Sequence, residues 1–382
     1  MNISDRIAEE YRSRFGDSSI VVSAPGRINL IGEHTDYNNG FVLPAAIHQS
    51  VYICAGFSEG DECTLVALDL DKTYQFRLGE FASVGGWQDY ILGVLHEFMQ
   101  KFTIDRGFSM VISGDIPQGA GLSSSAALEC AGLMALSNLY QVQLAPLTMA
   151  RMALNAERSF VGLDCGIMDQ YASVFGKKDH VLLIDCMNET HREVPLQLRE
   201  YCLLLCNSNV AHELADSAYN ERRKQCRNGV DIVRREFPHV TSLREVSLEM
   251  LERTKGNMDP VVYRRCAYVI RENNRVLRVV DYLQAGDLPD VGQQMYEAHD
   301  DMKVNYEVTC DETDFLVELA HSSGKVLGAR QMGGGFGGCT INIIKNEDVN
   351  AFSDLVISEY VKKFGKTPTF ITAETTDGTR EL

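Results

Sequence analysis

Two short segments concentrate the side chains able to do chemistry. Between Gly114 and Glu129 the chain reads Gly-Asp-Ile-Pro-Gln-Gly-Ala-Gly-Leu-Ser-Ser-Ser-Ala-Ala-Leu-Glu, a glycine-rich turn that runs through three hydroxyls into a helix-forming stretch. Glycines admit a ligand close to the backbone, and a helix N-terminus offers unpaired N–H groups and partial positive charge to an anion. Gly119, Ala120, Gly121, Leu122, Ser123, Ser124 and Ser125 are therefore expected to cradle phosphate. The cradle is neither of two familiar kinds. No lysine follows the glycines as in a P-loop. Ser124 stands where a dinucleotide fingerprint places its third glycine, and residues 138–145 contain no acid where that fingerprint needs one. An ordinary capped helix after a tight turn is the competing reading of this segment alone.

The second segment, Arg27 to Gly40, packs an arginine, two carboxylates (Glu33 and Asp36), the imidazole of His34 and several amides into fourteen positions. Polar groups at that density between apolar strands are costly to bury without partners. A polyhydroxylated ligand supplies them, because carboxylates accept from hydroxyls while His and Asn can donate or accept. A sugar is the expected ligand, although Asp36 to Gly40 taken alone suits a solvated Asx-rich turn equally well. With no Cys or second His at metal spacing, His34 reads as a hydroxyl contact and not a metal ligand.

Glu157 and Asp169 are the carboxylates to pair with the serine loop. A phosphoryl donor arrives with Mg²⁺, a hard ion that prefers oxygen and is often held by one or two protein groups plus the phosphates. Asp169 lies in Cys-Gly-Ile-Met-Asp-Gln, residues 165–170, where Gly166 permits a close approach and a carboxylate could take a hydroxyl proton. An aspartate in such a place is also a common helix cap.

The elements that must position these groups follow from local pattern. Residues 108–113 carry the bias of a strand and 126–139 that of a helix, so the phosphate loop joins strand to helix. A short helix is expected over residues 5–15, and strands at 20–23, 51–57, 63–68, 74–76, 181–184, 202–206 and 339–344. Helices are expected at about 87–101, from Pro146 through Glu157, and at about 214–236 and 260–284. The charge-rich faces of the last two read as solvated. The polar stretch 188–200 is the candidate domain boundary, giving an N-terminal domain over 1–195 and a C-terminal one over 196–382. A second glycine run, Gly333 to Gly338, precedes the last of these strands. Such alternation predicts α+β layers in both halves.

Composition narrows the partners. A chain of 382 residues can bury a large core and divide into two domains. The formal net charge of -17 argues against nonspecific binding to nucleic acid or an anionic membrane. An acidic protein that binds phosphate must gather positive potential locally, from backbone dipoles, a few basic side chains and a metal ion. The eleven cysteines are scattered without a Cys-x-x-Cys pair and read as buried thiols. The N-terminus has acids where a signal peptide is apolar, and no apolar run reaches membrane-spanning length, so a cytoplasmic location is expected.

With these segments in hand, the sequence resembles the galactokinases, within the GHMP small-molecule kinases. Ala24 to Pro44 looks like the galactokinase signature, and the likeness continues through 119–125, 165–170, 219–226 and 328–339. The resemblance implies a two-domain α+β fold, with a ribosomal-protein-like N-terminal domain, a ferredoxin-like α/β C-terminal domain and the site in the cleft between them. It implies ATP-dependent phosphorylation of the C1 hydroxyl of galactose, in galactose catabolism, with ATP and Mg²⁺ as partners and a monomer or weak homo-oligomer as the assembly. Glu33, His34, Thr35, Asp36, Gly166 and Tyr219 would then hold the sugar, Asp169 would face the C1 hydroxyl and Arg27 would be the cation beside it. Gly119 to Ser125 would bind the phosphates, Ser125 and Glu157 the magnesium, and Trp87 and Tyr90 the adenine, although their one-turn spacing suits core packing too. Four positions depart from the commonest pattern: Asn39 stands where Asp is frequent, Ala45 for Cys, Asp164 for Pro, and Gln331-Met332 for Met-Thr. Asp164, close to Gly166, puts fine sugar preference in doubt. Kinases for N-acetylgalactosamine or arabinose, and an inactive galactose and ATP sensor, are the alternatives.

Overall fold

The computed structural model describes residues 2–17, 19–117, 119–210 and 215–382. The first half runs α1 (Ile3–Phe15), β1 (Ile20–Asn29), β2 (Phe41–Val42), β3 (Pro44–Phe57), β4 (Glu62–Ala67), β5 (Lys72–Arg77), α2 (Gln88–Met99), β6 (Phe108–Gly114), α3 (Ser124–Leu139), α4 (Pro146–Ala156), α5 (Met168–Phe175), β7 (His180–Asp185) and β8 (Thr190–Pro195). The second half runs β9 (Tyr201–Asn207), α6 (Ala215–Glu236), α7 (Leu248–Thr254), α8 (Pro260–Ala285), α9 (Leu288–Asp301), α10 (Asp311–Ser323), β10 (Val326–Gln331), β11 (Cys339–Lys345), α11 (Val349–Phe364), β12 (Thr369–Ala373) and β13 (Arg380–Glu381). The α+β reading holds. The expected start of α6 at Leu214 lies outside the described residues.

The first sheet has the order β13-β1-β3-β6-β4-β5, the second β10-β11-β9-β12 and the third β2-β7-β8. In the first sheet, among the described residues, the one parallel pair is β4 with β6, and β13 adds to the edge of β1. Strand β8 corrects the expectation of a plain polar connection over 188–200. It is a sheet-edge strand in which only Val194 is buried, so its remaining polar residues gave no alternating signal.

Packing joins the two halves. One apolar cluster runs from Ile28, Leu30 and Leu43 beside the first sheet to Val276, Val279 and Val280 on α8. Each such fully buried valine or leucine is worth about 1.5–3 kcal/mol of transfer free energy, enough to hold the strand carrying Arg27 against second-half helices. All eleven cysteines are free, nine of them buried. Among the described residues no helix is long and apolar enough to cross a membrane.

Candidate active site

The loop from Gly119 to Ser125, expected to cradle phosphate, runs into α3, and its local geometry departs from ordinary capping. Ser123 occupies the N-cap position in a left-handed conformation, φ 60° and ψ 50°, and makes no side-chain cap hydrogen bond. Its hydroxyl instead donates to Asp169. The first-turn N–H groups of α3 thus have no side-chain cap from Ser123 and remain available to an anion. Gly119 and Gly121 also have positive φ, 69° and 70°. The second glycine run packs on this loop: a Cβ on Gly333 would lie 3.4 Å from the Gly121 carbonyl oxygen.

Arg27 lies beside a register shift in β1, where a Cβ on Gly26 would come within 2.6 Å of the Leu122 carbonyl. That close approach carries the Arg27 side chain under the loop. Its Nε and Nη2 each donate to Asp169 at 2.8 Å, while Nη1 donates to the Gly121 carbonyl at 2.6 Å. Arg27 is 4% exposed, whereas the Asp169 side chain keeps 30% of its surface open. A forked arginine–carboxylate pair is both strong and directional. Asp169 sits in the first turn of α5 without acting as its cap.

Glu157 stands where α4 passes into a π-helical turn over Glu157–Val161. Its carboxylate accepts from Gln170 at 2.5 Å and from the Cys165 thiol at 3.2 Å, and it is hydrogen-bonded by Ser125. Burial pushes the Glu157 carboxyl up, and the Asp169 charge adds to this. Gln170 also donates to Glu129 at 3.2 Å. Glu129 is fully buried, and burial followed by the Glu157 charge holds its carboxyl well above the usual range. Sequence reasoning missed Glu129 and Gln170. The available signal was spacing: Glu129 lies one helical turn after Ser125, on the same face.

The segment from Glu33 to Asp36 closes the other side. Glu33, 2% exposed, accepts from Arg330 at 3.2 Å and from the Gly333 N–H at 2.9 Å. The His34 backbone is left-handed at φ 62°, and its Nδ1 meets the Tyr37 hydroxyl at 2.7 Å. Burial, then the Arg222 charge, lowers the His34 pKa to about 3, which leaves the ring neutral near pH 7. Burial, then the Asp169 charge, raises the Asp36 pKa to about 6. Gly166 is packed on Asp36 so closely that a Cβ would fall 1.9 Å from its Oδ2. Tyr219 reaches in from α6, its ring 5.4 Å from those of His34 and Tyr37.

These groups line two adjoining cavities. One, of about 330 Å³, is bordered by Arg27, Glu33, His34, Asp36, Asp169 and Tyr219, with Gly119, Gly121, Leu122, Ser123 to Ser125, Glu157 and Gly166 around them. The other, of about 590 Å³, is bordered by Trp87, Tyr90, Ile112 and Leu128, and meets the first at Ser124 and Ser125. Trp87 and Tyr90 therefore face a cavity. Two expected residues stand apart from it: Thr35 turns its hydroxyl to the carbonyls of Gly32 and Phe41, and Ala120 is buried behind the loop. Asp164 does not border the first cavity and pairs with Arg223 at 3.0 Å and Arg227 at 2.7 Å on α6. Gln331 and Met332 bond within the core, to Thr313 and to the Asn29 N–H.

Among the described residues no cluster of three or more His, Cys, Asp or Glu could hold a metal. Among the described residues, the first cavity nevertheless sets four carboxylates, Glu33, Asp36, Glu157 and Asp169, against one lining cation, Arg27. Ser125 and Glu157 put two hard oxygen donors side by side at the mouth of the anion-accepting loop. Such a pair fits a magnesium ion that takes its other ligands from phosphate and water.

Comparison with known proteins agrees with this geometry. The family descriptions that match are "GHMP kinases N terminal domain" over residues 89–177, "Galactokinase galactose-binding signature" over 9–57 and "GHMP kinases C terminal" over 279–360. The chain is 38% identical over 361 residues to a galactokinase of Thermosipho africanus, covering 94% of this chain and 99% of that one. A galactokinase of Thermotoga maritima matches at 38% identity over 362 residues, with 94% and 99% covered. The Lactococcus lactis galactokinase structure, solved with galactose, superposes with a TM-score of 0.95 at 32% identity, covering 100% of both chains. A mevalonate kinase, at 18% identity and a TM-score of 0.66 over 94% of this chain and 99% of that one, shares the fold. With its two-domain α+β architecture, its galactose-binding signature and relatives matched over nearly their whole length, this chain belongs to the GHMP kinase superfamily, in the galactokinase family.

Proposed function

We propose that the chain transfers the γ-phosphoryl group of Mg-ATP to the C1 hydroxyl of α-D-galactose, giving α-D-galactose 1-phosphate and ADP. The observation that carries this reading is the placing of Asp169, held by Arg27 and Ser123, in the cavity that the sugar segment and the phosphate loop share. Relatives of the same length and fold support the choice of reaction and sugar.

Each side chain then has a task its position suits. Glu33, Asp36, His34 and Tyr219 hold sugar hydroxyls, and Gly166 keeps Asp36 against the floor of the site. Asp169 faces the C1 hydroxyl and takes its proton as the oxygen attacks phosphorus. Arg27 fixes the direction of that carboxylate and adds positive potential where charge spreads over the transferring group. The N–H groups of α3 and the loop from Gly119 to Ser125 bind phosphate oxygens, while Trp87 and Tyr90 cover the base. Magnesium held by Ser125 and Glu157 would supply charge neutralisation on the phosphates. Ser123, whose hydroxyl lies on Asp169, acts on the acceptor side and not the phosphate side.

ADP release by the purified protein, coupled to galactose concentration, tests the reading directly. Another sugar, such as N-acetylgalactosamine or arabinose, turned over with a higher kcat/KM would overturn the substrate, and binding without ADP release would make the chain a sensor. Glu157→Ala is expected to raise the Mg²⁺ concentration for half-maximal rate at least about tenfold, with galactose KM little changed. Direct Mn²⁺ binding, measured by electron paramagnetic resonance with ATP present, should weaken in parallel; unchanged Mn²⁺ affinity would remove Glu157 from the metal site.

The raised Asp36 carboxyl sets a pH dependence. Its ionised form is the one that accepts sugar hydroxyls, so protons compete with galactose as pH falls through about 6. Galactose kcat/KM should be flat above that value and approach a loss of about tenfold per pH unit well below it. His34, neutral down to about pH 3, adds nothing to this limb. In Asp36→Asn the plateau drops and the limb near 6 moves; an unmoved limb would assign it elsewhere.

A further inference from the structure

The segment from Gly32 to Phe41 is gripped at both ends by one face of α8, more than 200 residues further along the chain. The Gly32 N–H donates to Glu272 Oε1 at 2.9 Å, and the Phe41 N–H donates to Asn273 Oδ1 at 2.8 Å. Between them, the Tyr268 hydroxyl donates to the Glu33 carbonyl at 3.1 Å. Tyr268 and Glu272 are fully buried and Asn273 is 6% exposed. The fit is tight, because a Cβ on Gly40 would fall 2.3 Å from Asn273 Oδ1 and one on Gly32 would fall 2.8 Å from Val276. Glu272 is itself held by Arg275, which reaches Asp301 at 3.3 Å.

None of the three α8 side chains borders the cavity. Their hydrogen bonds to the segment go to its backbone, at the Gly32 and Phe41 N–H groups and the Glu33 carbonyl. Thr35 ties the same two ends from inside, which explains why its hydroxyl turns away from the cavity.

We propose that Tyr268, Glu272 and Asn273 are positioning residues for sugar binding: a latch from the second half that fixes the backbone register of Glu33, His34 and Asp36. The proposal rests on the reading of that cavity as the galactose site. The latch acts on sugar affinity because polar contacts to several hydroxyls must be satisfied at once, and a displacement of about 1 Å can cost about a hundredfold. It leaves the nucleotide side alone, since no α8 side chain among these touches Gly119 to Ser125, Trp87 or Tyr90.

The test measures galactose and Mg-ATP KM separately in full-length variants. Asn273→Ala should raise galactose KM by about 10- to 100-fold, with Mg-ATP KM within about twofold and kcat reduced less than KM is raised. Asn273→Asp, which keeps the acceptor, should restore galactose KM to within about threefold of wild type. Tyr268→Phe, which keeps the ring and loses one hydroxyl, should raise galactose KM by about 3- to 10-fold, and it decides the matter alone should Asn273→Ala fail to fold. Arg278→Ala, on the same helix but paired with Gln294, should leave galactose KM where it was. The latch is overturned by equal shifts in both KM values, or by Asn273→Ala and Tyr268→Phe each leaving galactose KM within about twofold. A wild-type enzyme that prefers another sugar overturns the galactose reading instead, and the same KM split with that sugar then decides the latch.

Discussion

Asp169→Asn is expected to lower kcat by about 1,000- to 10,000-fold while galactose still binds. The amide matches the carboxylate in size, and its one oxygen can still accept from Ser123 and Arg27 Nη2, while its NH2 faces Arg27 Nε and that arm of the fork is lost. It cannot take a proton, and it leaves Arg27 without its anion. The loss therefore falls on the chemical step and not on recognition, which rests on Glu33, Asp36, His34 and Tyr219. Single-turnover ADP formation gives the first quantity, and calorimetric titration with galactose gives the second. A variant within about tenfold of wild-type kcat would show that Asp169 only orients the hydroxyl, because orientation survives the isosteric change. A variant that loses galactose binding as well would place Asp169 among the sugar contacts.

The parts of this site legible in the sequence are those whose residues are neighbours in the chain. Gly119 to Ser125 carries its own signal, because glycines with positive φ and a following helix are properties of one stretch. Arg27 to Asp36 likewise betrays itself by polar density between strands. The assembly across the chain was not legible. Nothing local to Gln170 or Glu129 says that one bridges the other to Glu157, and nothing local to Asn273 says that its amide oxygen meets Phe41. Trp87 and Tyr90 show the limit of periodicity: a one-turn spacing favours core packing, and Trp87 does pack on the core, yet both residues also border a cavity that no local pattern reveals.

Two local features have partners that their own stretch does not show. Three serines in a row suggested three hydroxyls facing phosphate, but the left-handed Ser123 turns its own onto Asp169. Asp164 raised the question of sugar preference, and its carboxylate pairs with Arg223, which lies over the Tyr37 ring and whose charge acts on Asp36, and with Arg227. In the fold, β8 was hidden because a half-exposed edge strand is mostly polar.

Arg27 is the residue whose loss should disturb both halves of the reaction. Its guanidinium is divided between the Asp169 carboxylate and the Gly121 carbonyl, so a single side chain sets the distance between acceptor and phosphate loop. Arg27→Lys keeps the charge and loses the fork, and kcat should fall by about 100- to 1,000-fold. Arg27→Met should fall further and should lower the melting temperature, because Asp169 is left beside Glu157 and Asp36 with no cation facing it. The stability loss should lie below the about 3–5 kcal/mol of a fully buried pair, since Asp169 is 30% open to the cavity. Adding Asp169→Asn to Arg27→Met removes the stranded charge. The double variant should therefore melt higher than Arg27→Met alone, and its kcat should lie near that of the slower single variant instead of at the product of the two losses. Strict additivity in both measurements would mean that Arg27 and Asp169 act independently, and the fork that joins them would then have no part in the reaction.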